Sequence, residues 1–172
     1  DLSFGVSSNK FEAALEEIGH LLGFISQRPD QAFKVGPDNL WMSPGNRHFI
    51  NFECKNEVLM TRLFISKEEV GQMNNHIGWF EDTYGKDMTV RYVHIHPTNI
   101  VSSKANYNKE VLVISPKELD ILKGNIKNFV KEFAGYDLKT IEEDYIYKAQ
   151  AKHHLILEDI ERIYAIKTIK EN

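Results

Sequence analysis

Three residues in the first third of the chain, Asp38, Glu53 and Lys55, have types and a spacing that suit metal-assisted hydrolysis. They fall in two extended segments, Gly36-Pro37-Asp38-Asn39-Leu40-Trp41 and His48-Phe49-Ile50-Asn51-Phe52-Glu53-Cys54-Lys55, with Ser43-Pro44-Gly45-Asn46 between them. Pro and Gly punctuate the turn and aromatic or β-branched residues fill the arms, so the pair reads as a hairpin. Asp38 begins the first arm. Glu53 and Lys55 close the second on one face, while strand alternation turns Cys54 toward the apolar side. Two acids and an amine thus meet at one sheet edge. Paired carboxylates suit a hard divalent cation, Mg²⁺ first and Mn²⁺ as a substitute, that keeps waters for a substrate phosphate. A lysine beside such a cation can steer an attacking water whose pKa the ion lowers, which is the chemistry of phosphodiester hydrolysis. As a plain salt-bridge cluster the same residues would be costly, because Glu53 and Lys55 end a strand whose neighbours are strongly apolar.

The elements that must hold this group follow from the pattern around it. Asn9 precedes a helix whose apolar residues Phe11, Ala14, Leu15, Ile18, Leu21 and Leu22 recur at helical spacing, and Gly23 ends it. Glu12 and Glu16 lie one turn apart on its flank. Residues 24–27 read as a short strand and 28–35 as a loop with a second Pro29-Asp30 pair. Asp30 is therefore the rival aspartate, but it sits in a polar loop whereas Asp38 enters a strand directly. Ser66-Lys67-Glu68-Glu69 has the spacing of a capping box and starts a helix through Val70, Met73, Ile77 and Phe80, with Gln72, His76 and Trp79 along one border. His76 reads more readily as a satisfied, partly buried histidine than as a catalyst. Residues 88–96 form a strand that aligns Tyr92, His94 and His96, and two histidines fall short of the four ligands usual for zinc. Residues 98–108 read as a loop and 111–115 as a further strand. Pro116 opens a helix to about Phe133 that buries Leu119, Leu122, Ile126, Phe129, Val130 and Phe133. It aligns Lys123, Lys127 and Lys131, a row that can track a DNA backbone although such rows are usually solvated faces.

Pro37-Asp38 and, after a gap, Glu53-Cys54-Lys55 resemble the PD-(D/E)XK signature of the restriction-endonuclease-like nuclease superfamily. Residues 10 to about 115 are similar to its core order of helix, three strands, helix, strand. They look closest to the Holliday-junction-resolvase and modification-dependent restriction branch. The resemblance implies a Mg²⁺-dependent endonuclease acting on DNA in restriction, antiviral defence or DNA processing. It implies that Asp38 and Glu53 bind the ion, that the Cys54 backbone carbonyl completes the shell and that Lys55 positions the water. It adds a supporting acid from the first helix, Glu12 with Glu16 in reserve, and a glutamine, Gln72, that orients Lys55 or a phosphate.

The architecture expected from these elements is α/β: a central mixed sheet of four to five strands flanked by helices, with a helical C-terminal extension. The 172 residues fit one domain, with a core of about 10–135 and the extension at 136–172. A hydrophobic share of 42 % and a charged share of 27 % are ordinary for a globular chain. One cysteine excludes an internal disulfide, and no apolar run approaches the ~20 residues a bilayer span needs, so a reducing, cytoplasmic setting without a membrane is expected. The chain opens on Asp1, which points to a domain excised from a longer protein. A net charge of −4 argues against an autonomous nucleic-acid binder and shifts the main DNA affinity to a partner: a helicase or other domain of the same longer chain. A homodimer is a further expected assembly. The competing class is a non-catalytic nucleic-acid-binding or assembly domain.

Overall fold

The computed structural model describes residues 1–45 and 47–171, Leu138 by its backbone alone; Asn46 of the expected turn lies outside the described residues. Helix α1 (Ser8–Leu21) buries Phe11 and Leu15 and leads through the left-handed Gly23 into β1 (Ile25–Gln27). A short helix α2 (Pro29–Phe33) precedes β2 (Asn39–Met42), which pairs antiparallel with both β1 and β3 (His48–Cys54). The chain then crosses into α3 (Lys67–Tyr84) and β4 (Thr89–Ile95), a parallel neighbour of β3. After β5 (Ile100–Val101) come β6 (Val111–Ile114), parallel to β4, and α4 (Pro116–Glu132). Helices α5 (Glu143–Lys152) and α6 (Leu157–Asp159) and a π turn (Ile160–Tyr164) follow. The short strands β7 (Ile166–Lys167) and β8 (Ile169–Lys170) close the chain. Among the described residues the main sheet is mixed and six-stranded, in the order β1-β2-β3-β4-β6-β7, and β5 pairs separately with β8.

Strand alternation decides what each face receives. Trp41, Ile50, Phe52, Cys54, Val93 and Ile95 join α1 and α4 in one core, with Phe11, Leu15, Leu119 and Leu122. Leu40, Phe49 and Tyr92 face the other way onto Met73, Ile77 and Phe80 of α3. The helix α3 starts where the sequence pattern places it: Glu69 N donates to Ser66 Oγ at 3.3 Å, and Ser66 N donates back to Glu69 Oε2 at 2.7 Å. Gly19 lets α1 press on the sheet, since a Cβ there would stand 2.5 Å from both Ser26 Oγ and Trp41 Nε1. Among the described residues no helix is long and apolar enough to cross a membrane.

Several expectations need correction. The main sheet has six strands instead of four or five, because β7 from the chain's end adds antiparallel to β6. The C-terminal extension is therefore not all helical, and it supplies Leu155, Leu157, Ile160 and Tyr164 to the α1–α4 core. The segment 28–35 is not all loop: Pro29 supplies the first residue of a five-residue helix. Val130 is half exposed, on the outer border of α4. The acid group does not lie at a lateral edge, since β3 is an interior strand; it lies at the strand's carboxyl end.

Candidate active site

Because β2 runs antiparallel to β3, the first residue of β2 faces the last residues of β3: Asn39 pairs with Phe52. Asp38 therefore arrives beside Cys54, whose backbone N–H donates to Asp38 Oδ2 at 2.6 Å. Glu53 is 2 % exposed and points to the α3 side. Lys55 continues the parallel ladder, its N–H donating to Ile95 O at 2.8 Å, so its side chain returns to the face of Glu53. Its Nζ stands 2.6 Å from Glu53 Oε1. From α3, His76 Nδ1 stands 2.7 Å from Glu53 Oε2, at an angle poor for a hydrogen bond. Each carboxylate oxygen of Glu53 thus has its own cation or potential cation.

The two acids are driven apart in proton affinity, as expected for carboxylates sharing one confined site. Burial, then the charge of Glu53, pushes Asp38 up to about 7 against the opposing Cys54 N–H, and Glu12 adds to the rise. For Glu53 burial alone would also raise the value, but His76 and the Lys55 ammonium outweigh it and hold the carboxyl below its usual range. Burial disfavours the Lys55 ammonium, yet Glu53 and Asp38 more than offset this and raise its pKa. Burial lifts the Cys54 thiol well above its ordinary value, so this side chain is an inert core group. Of the two acids, Glu53 is therefore the one favoured as carboxylate and Asp38 the one that keeps its proton to higher pH.

Other expected residues divide. Glu12 is buried and paired with Arg28 at 2.5 Å, and its main-chain oxygen accepts from the Asn39 side chain at 3.1 Å, so it braces the strand Asp38 leads into. Glu16 is partly exposed on the same helix. Asp30 sits in α2, where its N–H donates to Pro37 O at 3.2 Å and its C=O accepts from Lys34 N at 2.8 Å. Gln72 is exposed one turn before His76, and it is the histidine that reaches Glu53. His94 lies beside Glu53 in the β3–β4 register, fully buried, with both ring nitrogens unpartnered and its pKa lowered to about 3 by burial. His96 is engaged through Nδ1 with Thr98 and stands 3.6 Å from Glu69. Lys123, Lys127 and Lys131 lie on α4, which packs on the face of the sheet away from α3 and Glu53; Lys123 also bonds Ser3 and Asp120. The row is not continuous with the acid group.

Among the described residues no group of three or more His, Cys, Asp or Glu side chains has the spacing to enclose a metal ion. The donor chemistry nonetheless fits a hard cation: two carboxylates, one of them carrying a proton that a cation would replace, with the Cys54 carbonyl next in the chain. Such a site leaves most coordination positions to water and substrate. A broad groove between the end of α1, the β2–β3 turn and α5 lies at the opposite end of β3 from this group. No family model matches the chain, and no curated protein or solved structure shows significant similarity to it.

Proposed function

We propose that the chain is a divalent-metal-dependent nuclease that hydrolyses phosphodiester bonds in DNA. The observation that carries this reading is the convergence of Asp38, Glu53 and Lys55 at the carboxyl end of an interior strand, with Asp38 tied to Cys54 N at 2.6 Å and Lys55 on Glu53 at 2.6 Å. The element order α1-β1-β2-β3-α3-β4 adds support, being the helix, three strands, helix, strand order of the restriction-endonuclease-like nucleases that the motif resembles, with α2 inserted. In this reading Asp38, Glu53 and the Cys54 carbonyl hold Mg²⁺ or Mn²⁺, which would supply charge neutralisation at the scissile phosphate and a more acidic water. Lys55 orients that water and stabilises charge on the phosphoryl oxygen. His76 stands against Glu53 and orients it, whereas the resemblance would have had Gln72 orient Lys55 or a phosphate. Restriction, defence or DNA processing is the setting that fits, with a helicase domain or a second copy as partner.

A non-catalytic binding or assembly domain is the second reading. It is favoured by the fact that both Glu53 oxygens are already met by Lys55 and His76, so the cluster stands without a metal. Incubation with supercoiled, linear and single-stranded DNA in Mg²⁺, Mn²⁺ or EDTA separates the two. Cutting in metal alone is expected, lost in Glu53→Ala and Asp38→Ala together with calorimetric metal binding. Lys55→Met should keep metal binding and lose about 10²-fold or more in turnover. Absence of cleavage on every substrate, with DNA binding indifferent to metal, would leave the binding domain as the reading.

A further inference from the structure

The segments that enter and leave the acid group both carry large apolar side chains in solvent. Phe33 and Val35 precede Asp38, and Leu59, Met60 and Leu63 follow Lys55; all five are between 55 % and 76 % exposed. Antiparallel pairing of β2 with β3 puts both segments at the same end of the sheet. The second segment is fastened at each end. Gly5 N donates to Asn56 O at 2.8 Å, and Ile65 N donates to Ile100 O at 2.7 Å, so residues 57–64 span the carboxyl ends of the strands from the N-terminal segment to the start of α3. The first is held by Gly36, which has a φ of 95° and lies against Trp79. A Cβ there would stand 2.8 Å from the indole ring, so the position has no room for a side chain.

We propose that these two apolar rims bind unstacked bases, and that the site acts on nucleic acid whose bases are already out of the duplex. This rests on the nuclease reading of Asp38, Glu53 and Lys55. A phosphate reaching that group comes to the end of the sheet that carries both rims. A regular duplex offers a surface its phosphates and groove edges and hides its base faces, so it gives Phe33, Leu59, Met60 and Leu63 nothing apolar to cover. A splayed or single strand offers the base faces, which stack on aromatic and aliphatic side chains with little regard to sequence. Lys123, Lys127 and Lys131 lie on the other side of the sheet, so that row does not neutralise phosphates flanking this site.

The test is fluorescence anisotropy in Ca²⁺ with three labelled DNAs of one length: single-stranded, fully paired, and paired with a central unpaired bubble. Single-stranded and bubbled DNA should bind about tenfold or more tightly than the full duplex. Phe33→Ser, and the triple change Leu59→Ser with Met60→Ser and Leu63→Ser, should erase most of that preference and leave calorimetric Ca²⁺ binding and the far-ultraviolet spectrum unchanged. Equal affinity for the three DNAs, or variants that weaken duplex and unpaired DNA alike, would overturn the proposal. Variants that leave DNA binding untouched but abolish self-association in sedimentation would overturn it too, by making the rims a protein contact. Cleavage of duplex with no preference sinks the rims alone. No binding and no cleavage of any DNA sinks the nuclease reading with them.

Discussion

At the scale of the residue, Asp38 is an acid whose protonated form the fold favours. Its carboxyl has a value of about 7 in the folded chain against the usual 3.8, so the folded state holds its proton more tightly than the unfolded one. Its contribution is fully present below pH 3.8 and is lost as the pH rises toward 7. Glu53 behaves oppositely: its value is lowered from 4.5, so its contribution is present above pH 4.5 and is lost on acidification. Asp38→Asn keeps an oxygen for the Cys54 N–H and removes the charge. The metal-free variant should therefore melt higher than the parent at about pH 8, with the gain shrinking as the pH falls to about 4. A difference that stays constant across that range would show that Asp38 is not a strained acid, and Mg²⁺ should narrow the gap at the alkaline end by replacing the proton. Asp38, Glu53 and Lys55 were legible because alternation along a strand fixes side-chain direction within one element. The part of His76 was not, because it depends on how α3 is rotated over the sheet, and one helix's periodicity carries no information about that.

Element by element, legibility followed the strength of the local signal. The α3 start was written in Ser66 and Glu69, and α4 in a long apolar stripe behind Pro116. The short α2, β5, β7 and β8, of five residues or fewer, gave no period to read, whereas β1, β2 and β6 are as short but stand out as apolar runs beside turn residues. What the short elements leave open, close packing settles. Gly19 is the clearest case, since α1 meets β1 and β2 at a point with no space for a methyl group between Ser26 and Trp41, both buried. Gly19→Ala should cost about 1–3 kcal/mol in urea unfolding by overpacking. Because α1 also braces β2 through Glu12 and Asn39, metal affinity should fall in the same variant. An unchanged denaturation midpoint would mean that the helix shifts freely over the sheet.

For the whole molecule, the composition and pattern pointed to a single α/β unit, and they misjudged where its core ends. Leu155, Leu157, Ile160 and Tyr164 are at most 1 % exposed within the cluster that also holds Cys54 and Ile95 beneath the acid group. A chain ending at residue 152 would expose that cluster. Loss of one large buried side chain costs about 2–5 kcal/mol and total stability is about 5–15 kcal/mol, so the shortened chain should show no cooperative melting by circular dichroism. A sharp transition in it would make the segment after Lys152 a separable appendage. The same tail has a bearing on assembly. The sheet's outermost strands, β1 and β7, have three and two residues, too little exposed ladder to template another strand. Growth of the sheet from one molecule into the next is thereby closed off on both sides, and a second copy would have to be held by side chains, leaving the chain resistant to open-ended stacking at high concentration.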